Sequence, residues 1–200
     1  MGFPIAINQG LRVAKGDYLC ILNNDCVVSK NWFSYMLDHF NDGADMIGPM
    51  TNKISGPQQA LVSVYRNMEE LNKVATIFHA NNYHKYQEFY RLVGFCLVFR
   101  RKVLETVGYF DEQYSPGNFE DDDFCLSAIE HGFHLRICND IFVHHYGSFT
   151  HRIMDLDYNE LLKVNSKKFM AKWKDKIDGT DEILGLLKRK EKEYGTEKSF

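Results

Sequence analysis

The sequence predicts one α/β domain followed by a helical extension. Short apolar runs with strand patterning alternate with segments whose apolar residues recur at helical spacing. Polar clusters stand where such runs end, the position at which open α/β sheets bind ligands. Beyond residue 152 only helical periodicity remains, so residues 1–152 are assigned to the domain and 153–200 to the extension.

The elements follow in order. Phe3, Ile7, Leu11 and Ala14 mark one face of a helix that stops at Gly16. Tyr18 to Leu22 is a nearly continuous apolar run, the pattern of a strand buried on both faces, and it ends in Asn23-Asn24-Asp25. Ser29 is placed to cap a helix whose buried face is Trp32, Phe33, Met36, Leu37 and Phe40. Residues 44–50 read as a strand closed by Gly48-Pro49, and residues 51–59 as a loop. Met68, Leu71, Val74, Ala75 and Phe78 suggest a helix, whereas residues 81–90 carry no clear pattern. Residues 92–99 form a strand and 102–107 a short helix stopped by Gly108. Six carboxylates crowd residues 111–123, broken by Pro116-Gly117; Phe124, Cys125, Ala128 and Ile129 then mark a helix. The acids therefore fall on a loop and a first helical turn, where the helix dipole favours them. Residues 133–138 and 141–145 are extended pieces, the second ending at His144-His145. Tyr158, Leu162, Phe169 and Trp173 suggest one further amphipathic helix, and residues 181–193 another.

Composition limits the partners. Apolar residues make up 44% and charged residues 26% of the 200, as in ordinary soluble proteins. The formal net charge of −3 leaves no basic excess for a nucleic-acid backbone, so that class is set aside. No apolar run approaches the roughly 18–20 residues that span a bilayer, and the start MGFPIAINQG lacks the pattern of a signal peptide. A cytoplasmic location is expected, with peripheral attachment to the inner membrane face as the alternative. The five cysteines are odd in number and lack CxxC spacing, which favours buried free thiols over disulfides or a zinc site.

Three clusters can carry chemistry. Asn23, Asn24 and Asp25 could ligate a hard cation, Mg²⁺ or Mn²⁺, through oxygen. Taken alone they read more simply as an Asx-rich turn. In Glu120 to Asp123, close like charges raise one another's pKa, and a partly desolvated member could serve as general base. Taken alone the run is a helix N-terminal acidic cluster. His144 and His145 are imidazoles at a strand end, able to complete a metal shell or to be structural. Their joint occurrence at element ends is the stronger signal.

These residues resemble family 2 glycosyltransferases. GFPIAINQGLRVAKGDYLCILNNDCVVSKNW is similar to the middle of that family, where an Asn-x-Gly helix leads through Ala-x-Gly-Asp into the metal-binding strand. Asn23-Asn24-Asp25 falls on the family's Asp-x-Asp motif, with Asn23 replacing the first anion. LVGFCLVFRRKVLETVGYFDEQYSPGNFEDDDFCLSAIEHGF resembles the acceptor-side block, and Phe119-Glu120-Asp121 matches the Glu-Asp motif that supplies the base. FVHHYGSFTH resembles the closing segment with its metal-ligating histidine. The resemblance covers roughly residues 2–175 and implies a GT-A-like (Rossmann-like) mixed sheet flanked by helices. It also implies that the first nucleotide-binding strands of the family are missing, so an N-terminally truncated domain is expected.

The resemblance implies an inverting, metal-dependent transfer of a sugar from a UDP- or dTDP-sugar to a hydroxyl of a glycan, lipid or protein, in cell-surface polysaccharide or glycoprotein synthesis. Asp121 is the expected base, with Glu120 as the fallback. Asp25 with His144 or His145 would hold the Mn²⁺ or Mg²⁺. Asn8, Asn23, Asn24, Gly94, Phe95, Gly117 and Asn118 are the expected substrate contacts, with residues 114–119 as a lid. The rival reading is a carbohydrate- or partner-binding module without turnover. A sugar nucleotidyltransferase would need a glycine-rich basic phosphate loop, which the sequence lacks. A glycoside hydrolase would use two carboxylates and no metal. A truncated sheet would expose an edge able to pair with a second copy as a homodimer.

Overall fold

The computed structural model describes residues 2–54, 56–147 and 158–174. Helix α1 (Phe3–Val13) begins with Pro4 in its first turn, where the missing N–H leaves no bond unmade. It is followed by β1 (Tyr18–Leu22), β2 (Cys26–Val28), α2 (Trp32–Asn41) and β3 (Met46–Met50). Then come α3 (Met68–Asn82), β4 (Tyr86–Glu88), β5 (Cys96–Arg100), α4 (Arg101–Val107) and a 3-10 turn over Glu112–Tyr114. Helix α5 (Glu120–Glu130), β6 (Leu135–His145) and α6 (Tyr158–Trp173) complete the described chain.

The six strands form one mixed sheet in the order β1-β5-β3-β6-β2, with β4 also on β6. The β3–β6 pair is parallel and the others are antiparallel. Leu11, Leu19, Leu97, Phe99, Phe124 and Ile137 form the core beneath α1, α4 and α5. Met36, Phe40, Ile47, Phe95 and Val98 form the other core beneath α2. Helix α3 adds Leu71 and Ala75 against Phe142. Helix α6 packs Phe169 and Trp173 on Tyr114 and Leu126, so it is held against the 3-10 turn and α5. The antiparallel β1–β5 pair sets the last residue of β1 beside the first of β5, Leu22 opposite Cys96. The end of β1, the start of β5 and the end of β6 thereby meet at one end of the sheet, beside the first turn of α5.

Several expectations are corrected. Strand β1 is not buried on both faces: Leu19 and Ile21 are buried, while Cys20 and Leu22 are exposed. The reason is position, since β1 ends the sheet and has only β5 beside it among the described residues. A cleft of about 270 Å³ runs between it and α1. Ser29 does not cap α2; its hydroxyl donates to the Phe142 carbonyl, and Asn31 takes the cap position with φ 62°. The two extended pieces after α5 are a single strand, β6, whose register against β3 shifts beyond Pro49. Residues 92–95 are irregular and β5 starts only at Cys96. The cysteines are all free, but Cys20 is exposed and Cys26 half-buried. The boundary expected at residue 152 and the helix expected over residues 181–193 lie outside the described residues.

Candidate functional site

The Asn23-Asn24-Asp25 segment closes β1 in a tight turn. Asn23 N donates to the Phe95 carbonyl at 2.8 Å, and Cys26 N donates to the Asn23 carbonyl at 3.1 Å. Strand β2 then pairs with β6 so that Cys26 stands opposite His145 and Val27 opposite His144. Alternation along β6 separates the two histidines. His145 is buried and its Nε2 lies 3.2 Å from Asp25 Oδ1. His144 instead pairs with the Tyr65 hydroxyl through Nδ1, and burial with the neighbouring His145 holds its pKa below the ordinary histidine value.

Donor and acceptor bookkeeping at His145 defines what the cluster can bind. Its Nδ1 faces the Lys53 carbonyl at 3.0 Å, and a carbonyl only accepts, so Nδ1 carries the hydrogen. Nε2 is then the ring nitrogen that faces Asp25, and it offers a lone pair to a cation when the ring is neutral. Asp25 Oδ1 is buried without a hydrogen-bond partner. An imine nitrogen and an unpaired carboxylate oxygen at this separation fit a shared cation. Asn52 fixes the strand beneath: it donates to the His145 carbonyl at 3.1 Å and accepts from His145 N at 2.8 Å. The Sγ of Cys26 joins the group, and the ligand atoms of Asp25, Cys26 and His145 all lie within 4.8 Å of one another. Burial, followed by the adjacent Asp25, pushes the Cys26 thiol up to about 12.

The carboxylate side is built on the first turn of α5. Asp121 Oδ2 accepts from Gly94 N at 2.8 Å, and Oδ1 from Asp122 N at 2.9 Å. Glu120 is buried, and burial with the charges of Asp121 and Asp122 pushes it up to about 9. Burial and Asp121 likewise raise Asp122, to about 7, against the opposing pull of Arg91, whose Nε is 2.6 Å from Asp122 Oδ1. Asp123 does structural work: it accepts from Tyr114 Oη, Lys172 Nζ and Trp173 Nε1 and so ties α5 to α6.

Gly94 and Phe95 join the two halves. Gly94 N holds Asp121, while the Phe95 ring stacks on His145 and its carbonyl accepts from Asn23 N. Cys26 Sγ also lies 3.5 Å from that carbonyl. The structure thus brings Asn23, Asp25, Gly94, Phe95, Glu120, Asp121 and His145 to one end of the sheet, with Asn24 exposed on the turn. Asn8 does not join them. It is buried, donating to the Phe110 carbonyl and Glu112 Oε1 and accepting from Phe110 N, so it fastens α1 to the loop before α5. Gly117 and Asn118 lie in the expected lid, but the Asn165 amide of α6 donates to the carbonyls of Tyr114, Gly117 and Asn118 and clamps the segment.

Sequence reasoning missed Asn52, Lys53, Cys26 and Asn165. Lys53 acts through its backbone carbonyl, which leaves no mark on residue choice, and the Asn165 side-chain amide reaches carbonyls some 50 residues away, a pairing that no local pattern shows. Cys26 lies on a three-residue strand too short to show a period, so the sequence marks it only as one thiol among five.

The profile of Glycosyl transferase family 2 matches residues 1–108, more than half of the chain. The chain belongs to this family. Among solved structures it is similar to the mannosyltransferase PcManGT from Pyrobaculum calidifontis in complex with GDP-Man and Mn²⁺, with 13% identity and a TM-score of 0.50. That match covers 84% of this chain and 44% of PcManGT. Matches to S. aureus TarS (14% identity, 69% of this chain, 38% of that one, TM-score 0.43) and to A197 from STIV (17%, 72%, 65%, 0.45) are also found. A search of curated proteins gave no match. The family 2 chain therefore has the GT-A fold expected for it and spans less than half the length of PcManGT. No described helix is long and apolar enough to cross a membrane.

Proposed function

We propose that this family 2 chain carries the cation- and acceptor-side machinery for inverting transfer of a sugar from a nucleotide-diphosphate donor to an acceptor hydroxyl. The observation that carries the reading is the joining of two sites through consecutive residues: Gly94 holds the Asp121 carboxylate and Phe95 packs on His145. Asp25 and His145 would hold the divalent cation, Mn²⁺ or Mg²⁺, which when bound neutralises charge on the leaving diphosphate.

Asp121 is the base in this reading. It accepts the proton of the acceptor hydroxyl as that oxygen attacks the sugar, and its two backbone hydrogen bonds fix its direction. Glu120 is the poorer base, because a group raised to about 9 is still protonated at neutral pH. Asp122 is engaged with Arg91, and Asp123 with α6. His145 is oriented by Lys53 and kept from turning by Phe95. Asn23 and Asn24 stand on the turn where a diphosphate or sugar would approach.

UDP- and dTDP-sugars are the proposed donors, and the GDP-Man bound by PcManGT adds GDP-sugars to the panel. The acceptor is a hydroxyl of a glycan, lipid or protein. The test is nucleotide release and sugar transfer from these donors with Mn²⁺ and again with chelator. Metal-dependent transfer supports the proposal. Turnover indifferent to metal and nucleotide would point to a hydrolase and overturn it.

A further inference from the structure

We propose that Asp25, Cys26 and His145 form a mixed oxygen, sulfur and nitrogen site that takes a thiophilic divalent cation, of the Zn²⁺ class, in place of Mn²⁺ or Mg²⁺. It rests on the reading of Asp25 and His145 as cation ligands and adds the thiol to them. The backbone makes the juxtaposition. Cys26 and His145 are directly paired residues of antiparallel strands, so their side chains share a face with Cβ atoms roughly 4.5–5.5 Å apart. Asp25 precedes Cys26 on the turn, and its Oδ1 is the buried oxygen that lacks a hydrogen-bond partner.

The spacing suits a small tetrahedral ion. Zinc bonds of about 2.0–2.3 Å place ligand atoms roughly 3.3–3.6 Å apart. Asp25 and His145 already stand at 3.2 Å, and no pair in the trio exceeds 4.8 Å. A modest swing of the Cys26 thiol away from the Phe95 carbonyl, to which it donates at 3.5 Å, closes the site. The Lys53 carbonyl on His145 Nδ1 provides the outer partner that orients a metal-bound imidazole. Three protein ligands leave a fourth position for water or a donor oxygen.

Thiolate changes the selectivity. Oxygen-rich sets suit Mg²⁺ and Mn²⁺, whereas a thiolate with imidazole suits Zn²⁺ and Co²⁺. On binding, the Cys26 S–H bond breaks, its proton passes to solvent and a metal–sulfur bond forms, with no change of oxidation state. A zinc ion seated this way competes with Mn²⁺ for Asp25 and His145, making the same three residues an inhibitory site.

Co²⁺ is the probe. The 200-residue chain, folded by circular dichroism, is titrated with Co²⁺ while its near-ultraviolet thiolate-to-metal charge-transfer band is followed; Zn²⁺ is then added. The expected result is a band that Zn²⁺ abolishes, that persists in Cys20→Ser and that is lost in Cys26→Ser. Co²⁺ affinity in Cys26→Ser should fall by at least the roughly 10- to 100-fold that loss of an outer partner of a metal ligand costs. No band in the native chain, or a full band in folded Cys26→Ser, overturns the inference. Mn²⁺-dependent nucleotide binding is measured on a separate portion of the same native preparation, free of Co²⁺ and Zn²⁺. Nucleotide binding without a cobalt–thiolate band removes this site and leaves the transferase reading. A band without nucleotide binding supports the site and counts against the donor reading.

Discussion

The ring of Phe95 lies against the imidazole of His145, with centroids 5.1 Å apart and planes 29° from parallel. With the Lys53 carbonyl on Nδ1, this contact leaves His145 one free direction, toward Asp25. His144, one residue earlier on β6, is engaged with Tyr65. His145→Ala is therefore expected to weaken Mn²⁺-dependent nucleotide binding by at least the roughly 10- to 100-fold that loss of an outer partner of a metal ligand costs, and His144→Ala to leave it near the native value. Calorimetric titration of the two variants decides; the reverse ranking would assign the cation to the wrong histidine.

Asp121 separates binding from chemistry. Asp121→Asn keeps an oxygen to accept from Gly94 N but cannot take a proton. Transfer should fall by about 10²- to 10⁴-fold, while Mn²⁺-dependent nucleotide affinity is retained. Transfer assays beside calorimetry check this, and full activity in the variant removes Asp121 as base.

How far these roles were legible depends on which interactions fixed them. Asn23 to Asp25 and Glu120 to Asp123 stood out because polar residues followed or preceded apolar runs, and the strand–turn pattern survives in one dimension. The choice between His144 and His145 did not. It depends on the β2–β6 register, and a slip of one residue would exchange their faces. Asn8 is the opposite case. An asparagine on a helix looks available for a ligand, yet its amide is used by Phe110, 102 residues away. Ser29 had the identity of a cap, but burial against Phe142 determined its bond. The fold class and most elements were readable from periodicity. Strand β4 was not, because its three residues pair with β6 without an alternation of their own.

Asn165 is expected to hold the loop that leads into the first turn of α5. It is wholly buried and its amide donates to three carbonyls of residues 114–118. Asn165→Ala leaves those carbonyls to find other partners and should lower stability by about 1–3 kcal/mol, measured by urea unfolding. Transfer should fall with it, because α5 carries Asp121. An unchanged unfolding midpoint would contradict the clamp.

Glu120 makes stability fall as pH rises. Its folded value of about 9 exceeds the ordinary 4.5, so between these limits the native state holds one proton that the unfolded state has lost. Stability then declines with pH at up to about 1.4 kcal/mol per unit from this group. The favourable contribution is complete below the unfolded value and is lost toward the folded one. Glu120→Gln should flatten the curve and raise stability at the alkaline end, as read by urea unfolding across that window. A native profile that rises with pH, unaltered by the substitution, would refute the assignment.

The most direct test of the central claim is titration calorimetry of the chain with UDP, dTDP and GDP in the presence of Mn²⁺, followed by chelator. The account expects one of the nucleotides to bind with Mn²⁺, to be released by chelator and to bind poorly to Asp25→Ala. Nucleotide binding that ignores both chelator and the Asp25 substitution, in a folded chain, would contradict the assignment of Asp25 and His145 as the cation site of a glycosyltransferase.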